Sequence, residues 1–143
     1  RSESVDQWDD IYPAEGVFRE DVAKGTLFKY VVNGKIIAVI CLDGSYPSEY
    51  DGIDWKDKGN RHLIVHRIVV NPSNQGQGIG RTLMNFSERV ALERHCESIR
   101  LDAFVKNRRA MNLYKSLGFE IMGTVKFRKG FFACMKKIVD GVV

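Results

Sequence analysis

Val69-Val70-Asn71-Pro72-Ser73-Asn74-Gln75-Gly76-Gln77-Gly78-Ile79-Gly80-Arg81-Thr82 leads from a β-branched run through a glycine-dense loop into a segment with helical apolar spacing. Strand, loop and helix in that order suit phosphate binding. The first N–H groups of a helix lack intrahelical partners and the helix dipole adds positive potential there, so an anion sits well on them. Side chains would obstruct that approach. Gly76, Gly78 and Gly80 let the backbone close around phosphate oxygens, and Arg81 adds a charge-assisted contact. Spacing then separates the kinds of phosphate loop. The dinucleotide fingerprint G-x-G-x-x-G, counted from Gly76, needs glycine where Arg81 stands. The P-loop G-x-x-x-x-G-K-[ST], counted back from Gly80, needs glycine where Gln75 stands and lysine where Arg81 stands. Both are excluded.

Working outward, residues 62–70 form a continuous β-branched run, which predicts a central strand covered on both faces and ended by Asn71-Pro72. Ile79, Leu83, Phe86, Val90 and Ala91 recur at helical spacing as far as about Cys96. Upstream, residues 26–32 and 35–42 are β-rich and flank Asn33-Gly34, the dipeptide suited to a tight hairpin turn. Val5, Trp8, Ile11 and Tyr12 predict the end of a helix before Pro13. Downstream, residues 98–104 alternate as a strand, and a helix is predicted over about 108–117 between Asn107 as N-cap and Gly118 as terminator. Strands over 119–125 and 131–139 complete the order. The result is one domain, residues 1–143, with a mixed α/β or α+β sheet and helices against it. Residues 43–60 are polar and turn-rich yet carry Tyr46, Tyr50 and Trp55; they read either as a solvated loop with aromatic anchors or as a substrate lip.

Two motifs carry a resemblance. Gln75-Gly76-Gln77-Gly78-Ile79-Gly80 fits Q/R-x-x-G-x-G/A, and Asn107-Arg108-Arg109-Ala110-Met111-Asn112-Leu113-Tyr114-Lys115-Ser116-Leu117-Gly118-Phe119 fits N-x-x-A-x-x-x-Y-x-x-x-G-F at every fixed position. On these residues the chain resembles the GNAT family of N-acetyltransferases, over about residues 26–139. The resemblance implies a mixed, mostly antiparallel central sheet with helices on both faces. It implies acetyl-CoA as cosubstrate, with its pyrophosphate held by Gln75, Gly76, Gln77, Gly78, Ile79, Gly80 and Arg81. Ile68, Val69 and Val70 would lie along the cofactor, with Val69 or Val70 N–H facing the oxyanion. Asn107 would hydrogen-bond the pantetheine arm and Tyr114 would protonate the departing thiolate. Family members open with a strand and helix for which residues 1–25 are too short, so the fold is expected to lack its first strand and helix, removed or never present. Taken without the glycine loop, Tyr114 reads as a helix tyrosine packed on the sheet with Ala110, Leu113 and Leu117.

An amine attacks a thioester only when neutral, and a lysine-type amine titrates near 10.4, so a proton acceptor is needed. His66 on the central strand is the candidate base, or else a packed core histidine; Glu49 and Asp54 are the alternatives. The tetrahedral oxyanion calls for a preorganised N–H, and phenol and thiol acidities lie about 1.5 units apart, close enough for Tyr114 to serve the thiolate. Neither zinc-ligand spacing nor a G-x-S-x-G elbow occurs, so no metal is expected.

Composition narrows the remaining classes. With 143 residues, 44% hydrophobic and 28% charged, the chain is an ordinary globular length and mixture. A net charge of +4, with dense basic runs only at 106–109 and 126–129, does not indicate a nucleic-acid surface. Cys41, Cys96 and Cys134 lack C-x-x-C spacing and read as reduced thiols. No apolar run reaches the roughly 20 residues needed to span a bilayer and no signal pattern opens the chain, so a cytoplasmic location without membrane partner is expected. The acceptor is an amine-bearing small molecule or peptide of unread identity; Glu49, Asp51, Asp54 and Asp57 with the loop aromatics would favour a cation. A missing first strand would leave an edge inviting dimerisation. The competing classes are a catalytically silent CoA-binding or regulatory module and a small nucleic-acid-binding domain.

Overall fold

The Asn33-Gly34 dipeptide does what its conformational freedom allows: both residues take positive φ, 52° and 77°, and reverse the chain in two residues. In a computed structural model, which describes residues 16–20 and 26–139, this turn joins β2 (Leu27–Val32) to β3 (Lys35–Asp43). Their antiparallel register runs from Leu27↔Cys41 to Val32↔Lys35, with a shift between Tyr30 and Val31. Seven strands and two helices are described, and the sheet is mostly antiparallel. The described residues group into two compact units, one comprising those up to Asp43 with Val65–Ser87, the other Gly44–Ile64 with those from Glu88 to Val139.

The first unit follows the order β1-β2-β3-β4, where β1 is Gly16–Glu20 and β4 is His62–Val70, whose first three residues belong to the second unit. β1 corrects the sequence reading, which placed no strand ahead of the hairpin: it pairs antiparallel with β2 from Gly16↔Val32 to Glu20↔Phe28. Five residues with only Val17 and Phe18 apolar are too few for a periodicity signal. Partnership supplies what pattern lacks, since Phe18 stacks on Phe86 at 3.8 Å while Phe28 meets the same ring edge-on at 5.2 Å. Burying each such ring contributes about 1.5–3 kcal/mol. Gly16 is dictated by close approach, because a Cβ there would lie 2.3 Å from the Tyr30 ring, itself 1% exposed. The N-terminal helix expected over residues 4–12 lies outside the described residues.

In the second unit the order is β4-β5-β7-β6. The start of β4 pairs parallel with β5 (Ser98–Phe104), His62↔Ser98 to Ile64↔Arg100. β5 pairs antiparallel with β7 (Gly130–Ile138), and β7 with β6 (Glu120–Phe127). Expected coverage of β4 on both faces holds for Leu63, Ile64 and Val65 but not beyond; His66 and Arg67 are exposed and Val69 is 50% exposed. The parallel ladder to β5 ends at Ile64, so the later β-branched residues gain no neighbour from it. Helix α1 (Ile79–Glu93) stops three residues short of the expected Cys96, because His95 turns left-handed (φ 58°) and Cys96 N–H returns to the Ala91 carbonyl at 2.8 Å. Helix α2 is Arg108–Ser116.

Candidate active site

The glycine loop belongs to the first unit. Pro72–Asn74 make one 3₁₀ turn, capped by the Asn71 side chain, which accepts from Ser73 N–H at 3.1 Å and Ser73 O–H at 3.0 Å. Asn71 N–H in turn donates to the Ile37 carbonyl at 2.8 Å, fixing the loop's origin on β3. Gly76 and Gly78 then take φ of 81° and 77°, the left-handed region that glycine enters without a Cβ penalty. From there α1 begins. Ile79 and Thr82 anchor it at 3% and 1% exposure, and Thr82 gives both its N–H and its hydroxyl to the Gly78 carbonyl, at 3.1 and 3.2 Å. Gln75, Gly76, Gln77 and Gly78 stay exposed over this anchored base. The arrangement sets the N-terminus of α1, whose first N–H groups lie ahead of any intrahelical acceptor, beside a loop rich in glycine. His66 is no core residue; it is about a third exposed and its Nε2 lies 2.5 Å from Asp43 Oδ1.

Asn107 and Tyr114 belong to the second unit, at opposite ends of α2. Asn107 caps the helix as its position predicts, its side-chain oxygen accepting from Ala110 N–H at 3.0 Å. The C-terminus closes as a Schellman motif: Phe119 N–H donates to the Tyr114 carbonyl at 3.0 Å, Gly118 N–H to Lys115 at 3.1 Å, and Gly118 has φ 96°. Phe119 is therefore folded back onto Tyr114, with ring centroids 5.9 Å apart in a T-shape. Signature positions Tyr114, Gly118 and Phe119 are thus one local device that sets the tyrosine ring. Burial, and then the negative charge of Asp102, raise the Tyr114 phenol above its usual range. Tyr114 therefore keeps its proton at neutral pH and is a weaker acid than a free phenol, which widens its distance from a thiol.

What the sequence reading missed lies in the 43–60 segment and along β5. Arg100 on β5 and Lys136 on β7 face each other across the ladder and are both nearly inaccessible, an arrangement that repels. Asp57 resolves it by ion-pairing with Arg100 through one oxygen and with Lys136 through the other at 3.0 Å. Burial opposes the charge on Asp57, but hydrogen bonds from Lys136 and Arg100 prevail and hold its carboxyl below the usual range. Lys136 also donates to the Trp55 carbonyl at 2.7 Å, and the Arg100 guanidinium stacks over the Trp55 ring at 4.4 Å. Next to them His62 Nδ1 lies 2.7 Å from Ser98 Oγ, and Glu97 accepts from Lys58 and Gly59 N–H. Burial, with the Arg100 charge second, lowers His62 below its usual range. Asp57, His62 and Glu97 converge within 4.8 Å, but Asp57 and Glu97 are already satisfied by the cations and N–H groups just named. Asp57 is thus committed to the fold rather than to attracting a cation, correcting that expectation.

Two residues farther along β5 stands Asp102, half-buried, with Tyr50 O–H donating to its Oδ2 at 2.7 Å. Tyr50 is 1% exposed and packs with Trp55, Ile64, Val125 and Cys134. Burial, then the Asp102 hydrogen bond, raise its phenol far above the ordinary range. Beside it a pocket of about 280 Å³ is lined by Tyr46, Tyr50, Trp55, Asp57, His62 and Arg100. The segment read as either loop or lip is therefore buried at Tyr50 and Trp55 while Tyr46, 48% exposed, stands over the pocket. Glu49 and Asp54 are exposed, and Asp54 closes a turn by accepting from Lys56 N–H.

These features agree with what the chain is similar to. The profile of the acetyltransferase (GNAT) family matches residues 1–119, and the chain belongs to that family. It is 27% identical over 126 residues to the uncharacterised N-acetyltransferase YesJ of Bacillus subtilis strain 168, covering 86% of this chain and 69% of YesJ. It is 41% identical over 64 residues to the thialysine N-epsilon-acetyltransferase of Bos taurus, covering 45% of this chain and 36% of that protein. A GNAT-family acetyltransferase from Streptococcus agalactiae 2603 shares the fold, with a TM-score of 0.68 at 21% identity over 93% of this chain and 78% of that one.

Proposed function

We propose that this chain transfers the acetyl group of acetyl-CoA directly to a primary amine carried by a small molecule or peptide. The observation that carries the reading is the exposed glycine loop, Gln75 to Gly78, running left-handed at two glycines into the N-terminus of α1, in a chain of the acetyltransferase family. Acetyl-CoA, when bound, supplies an acyl group activated as a thioester. Backbone N–H groups over Gln75 to Arg81 hold its pyrophosphate. Ile68, Val69 and Val70 present strand backbone and partly open apolar side chains to the acyl arm, and the N–H of Val69 or Val70 faces the developing oxyanion. Asn107, whose oxygen serves the helix cap, keeps an NH₂ group for the pantetheine amide. Tyr114 supplies the proton that the thiolate needs. The names of relatives place amine-bearing amino acids among their substrates, and thialysine, L-lysine and 1,4-diaminobutane form the first acceptor panel.

Calorimetric titration with acetyl-CoA, followed by thiol release with that panel, tests the reading. Binding by wild type together with turnover of one amine supports it. A folded wild-type protein that fails to bind acetyl-CoA overturns it.

A further inference from the structure

A second concavity lies wholly within the second unit. It encloses about 1040 Å³ and is walled by the 56–61 segment, the C-terminal end of α1 with the residues after it, and the end of β7. That volume suits a small-molecule site, and none of the lining residues belongs to the glycine loop or to α2. Its walls divide by chemistry. Leu92 and Ile138 stay 40% and 56% exposed, and with Val139 and the Cys96 thiol they make an aliphatic side. Lys56, Lys58 and Arg61 bring positive charge, joined by the His95 imidazole. Among the described residues no carboxylate pairs with Lys56, Lys58 or Arg61. Arg61 gives its Nε and Nη2 hydrogens to the Arg94 carbonyl, at 3.2 and 2.6 Å, and so offsets the negative end of the α1 dipole beside the pocket. Glu97, the one acid of the lining, is occupied by the N–H groups of Lys58 and Gly59 at 2.9 and 2.7 Å. The lining holds no Phe, Tyr or Trp, so it has no aromatic face on which a nucleobase would stack. An aliphatic body ended by a single anionic group matches both walls.

We propose that this pocket is a binding site for an aliphatic monocarboxylate, its carboxylate held by Lys56 and Lys58 and its chain lying along Leu92, Cys96 and Ile138. The site is independent of the acetyl transfer proposed above, since no residue of its lining is assigned to the cofactor. The two lysines act as mobile point charges that set the sign of the ligand. The aliphatic wall sets its body, because the surface it covers is removed from water together with the chain.

Calorimetric titration of the whole chain with decanoate tests the site, beside two controls. Decyltrimethylammonium has the same chain and the opposite charge, and acetate has the charge without the chain. Decanoate should bind one to one and at least about tenfold tighter than either. Lys56→Gln combined with Lys58→Gln should weaken it about tenfold, and Ile138→Glu, at an exposed position, by a similar factor. Leu92→Ser, which removes aliphatic surface without adding charge, should weaken it about threefold to tenfold. Circular dichroism establishes that each variant is folded. Decanoate should also slow the alkylation of Cys96 and leave that of Cys41, on β3, unchanged. Equal affinity for decanoate and decyltrimethylammonium reduces the site to bare apolar surface and overturns the proposal, as does acetate binding as tightly as decanoate. Binding that survives every variant, or that leaves Cys96 unprotected, places the ligand elsewhere and overturns it too. A folded wild-type protein that does not bind decanoate overturns it outright, and none of these results bears on acetyl-CoA at the glycine loop.

Discussion

The glycine loop and the side-chain cluster around β5 are organised in two different ways. In the loop, the proposed phosphate binding resides in the backbone of consecutive residues, and side chains matter mainly by being absent or by anchoring, as Ile79 and Thr82 do. Around β5 it resides in side chains drawn from far apart in the sequence. Asp57 reaches Arg100 across 43 positions, Lys136 reaches Trp55 across 81, and Tyr50 reaches Asp102 across 52. A backbone site should tolerate side-chain changes and fail when its path is blocked. A side-chain cluster should fail at single atoms while its backbone stays intact.

The largest effect should come from blocking the loop. Gly78→Glu adds a side chain at a left-handed residue and a negative charge where pyrophosphate is to sit, and should weaken acetyl-CoA binding at least about a hundredfold, since like-charge juxtaposition costs several kcal/mol. Gln77→Ala, an exposed position in the same loop, should change the dissociation constant by less than about threefold if the backbone does the binding. A large loss on Gln77→Ala, measured by calorimetry, would break the contrast between the two regions.

Next in size is Asp57→Asn. It removes one atom's charge and leaves Arg100 and Lys136 opposed and buried, so urea unfolding should show a loss of about 3 kcal/mol. A double replacement of Lys136 and Asp57 by Met and Asn should recover part of that loss, because the repulsion is then gone. Asn107→Ala should cost about 1 kcal/mol through the α2 cap.

The smallest effect is a pH dependence. The folded pKa of His62 is depressed, so its contribution to stability is complete above the unfolded value of about 6.5 and is lost as pH falls below it, when the unfolded chain takes up the proton more readily. Denaturation midpoints followed from pH 7.5 downward should fall through this window, and His62→Gln should flatten the change. A midpoint that rises on acidification in wild type would contradict the burial of that ring beside Arg100.

Legibility followed the same division. The hairpin turn, the glycine loop's turn, both helix starts and the signature of α2 were readable because each is governed by neighbours: Asn33-Gly34 by φ, Asn107 by the capping bond three residues on, Tyr114 and Phe119 by the Schellman closure. β1 was not readable, since its two apolar residues acquire meaning only when Phe18 meets Phe86. The exposed second half of β4 was misjudged for the same reason. A β-branched run states that a residue can be covered, and the ladder decides whether it is.

The sequence by itself determined the family, the order of elements from β2 onward and the turn-rich path of the glycine loop, because these depend on residue types at short fixed spacings along one backbone. Tertiary structure alone decided which carboxylate meets cations and which meets a hydroxyl. Asp57 and Asp102 are the same residue type, each near aromatic neighbours in sequence or space, and nothing local distinguishes them. Asp57 is consumed by two cations that strand pairing forces together, while Asp102 accepts the hydroxyl of Tyr50 and forms no ion pair among the described residues, so the fold gives two like side chains opposite electrostatic surroundings.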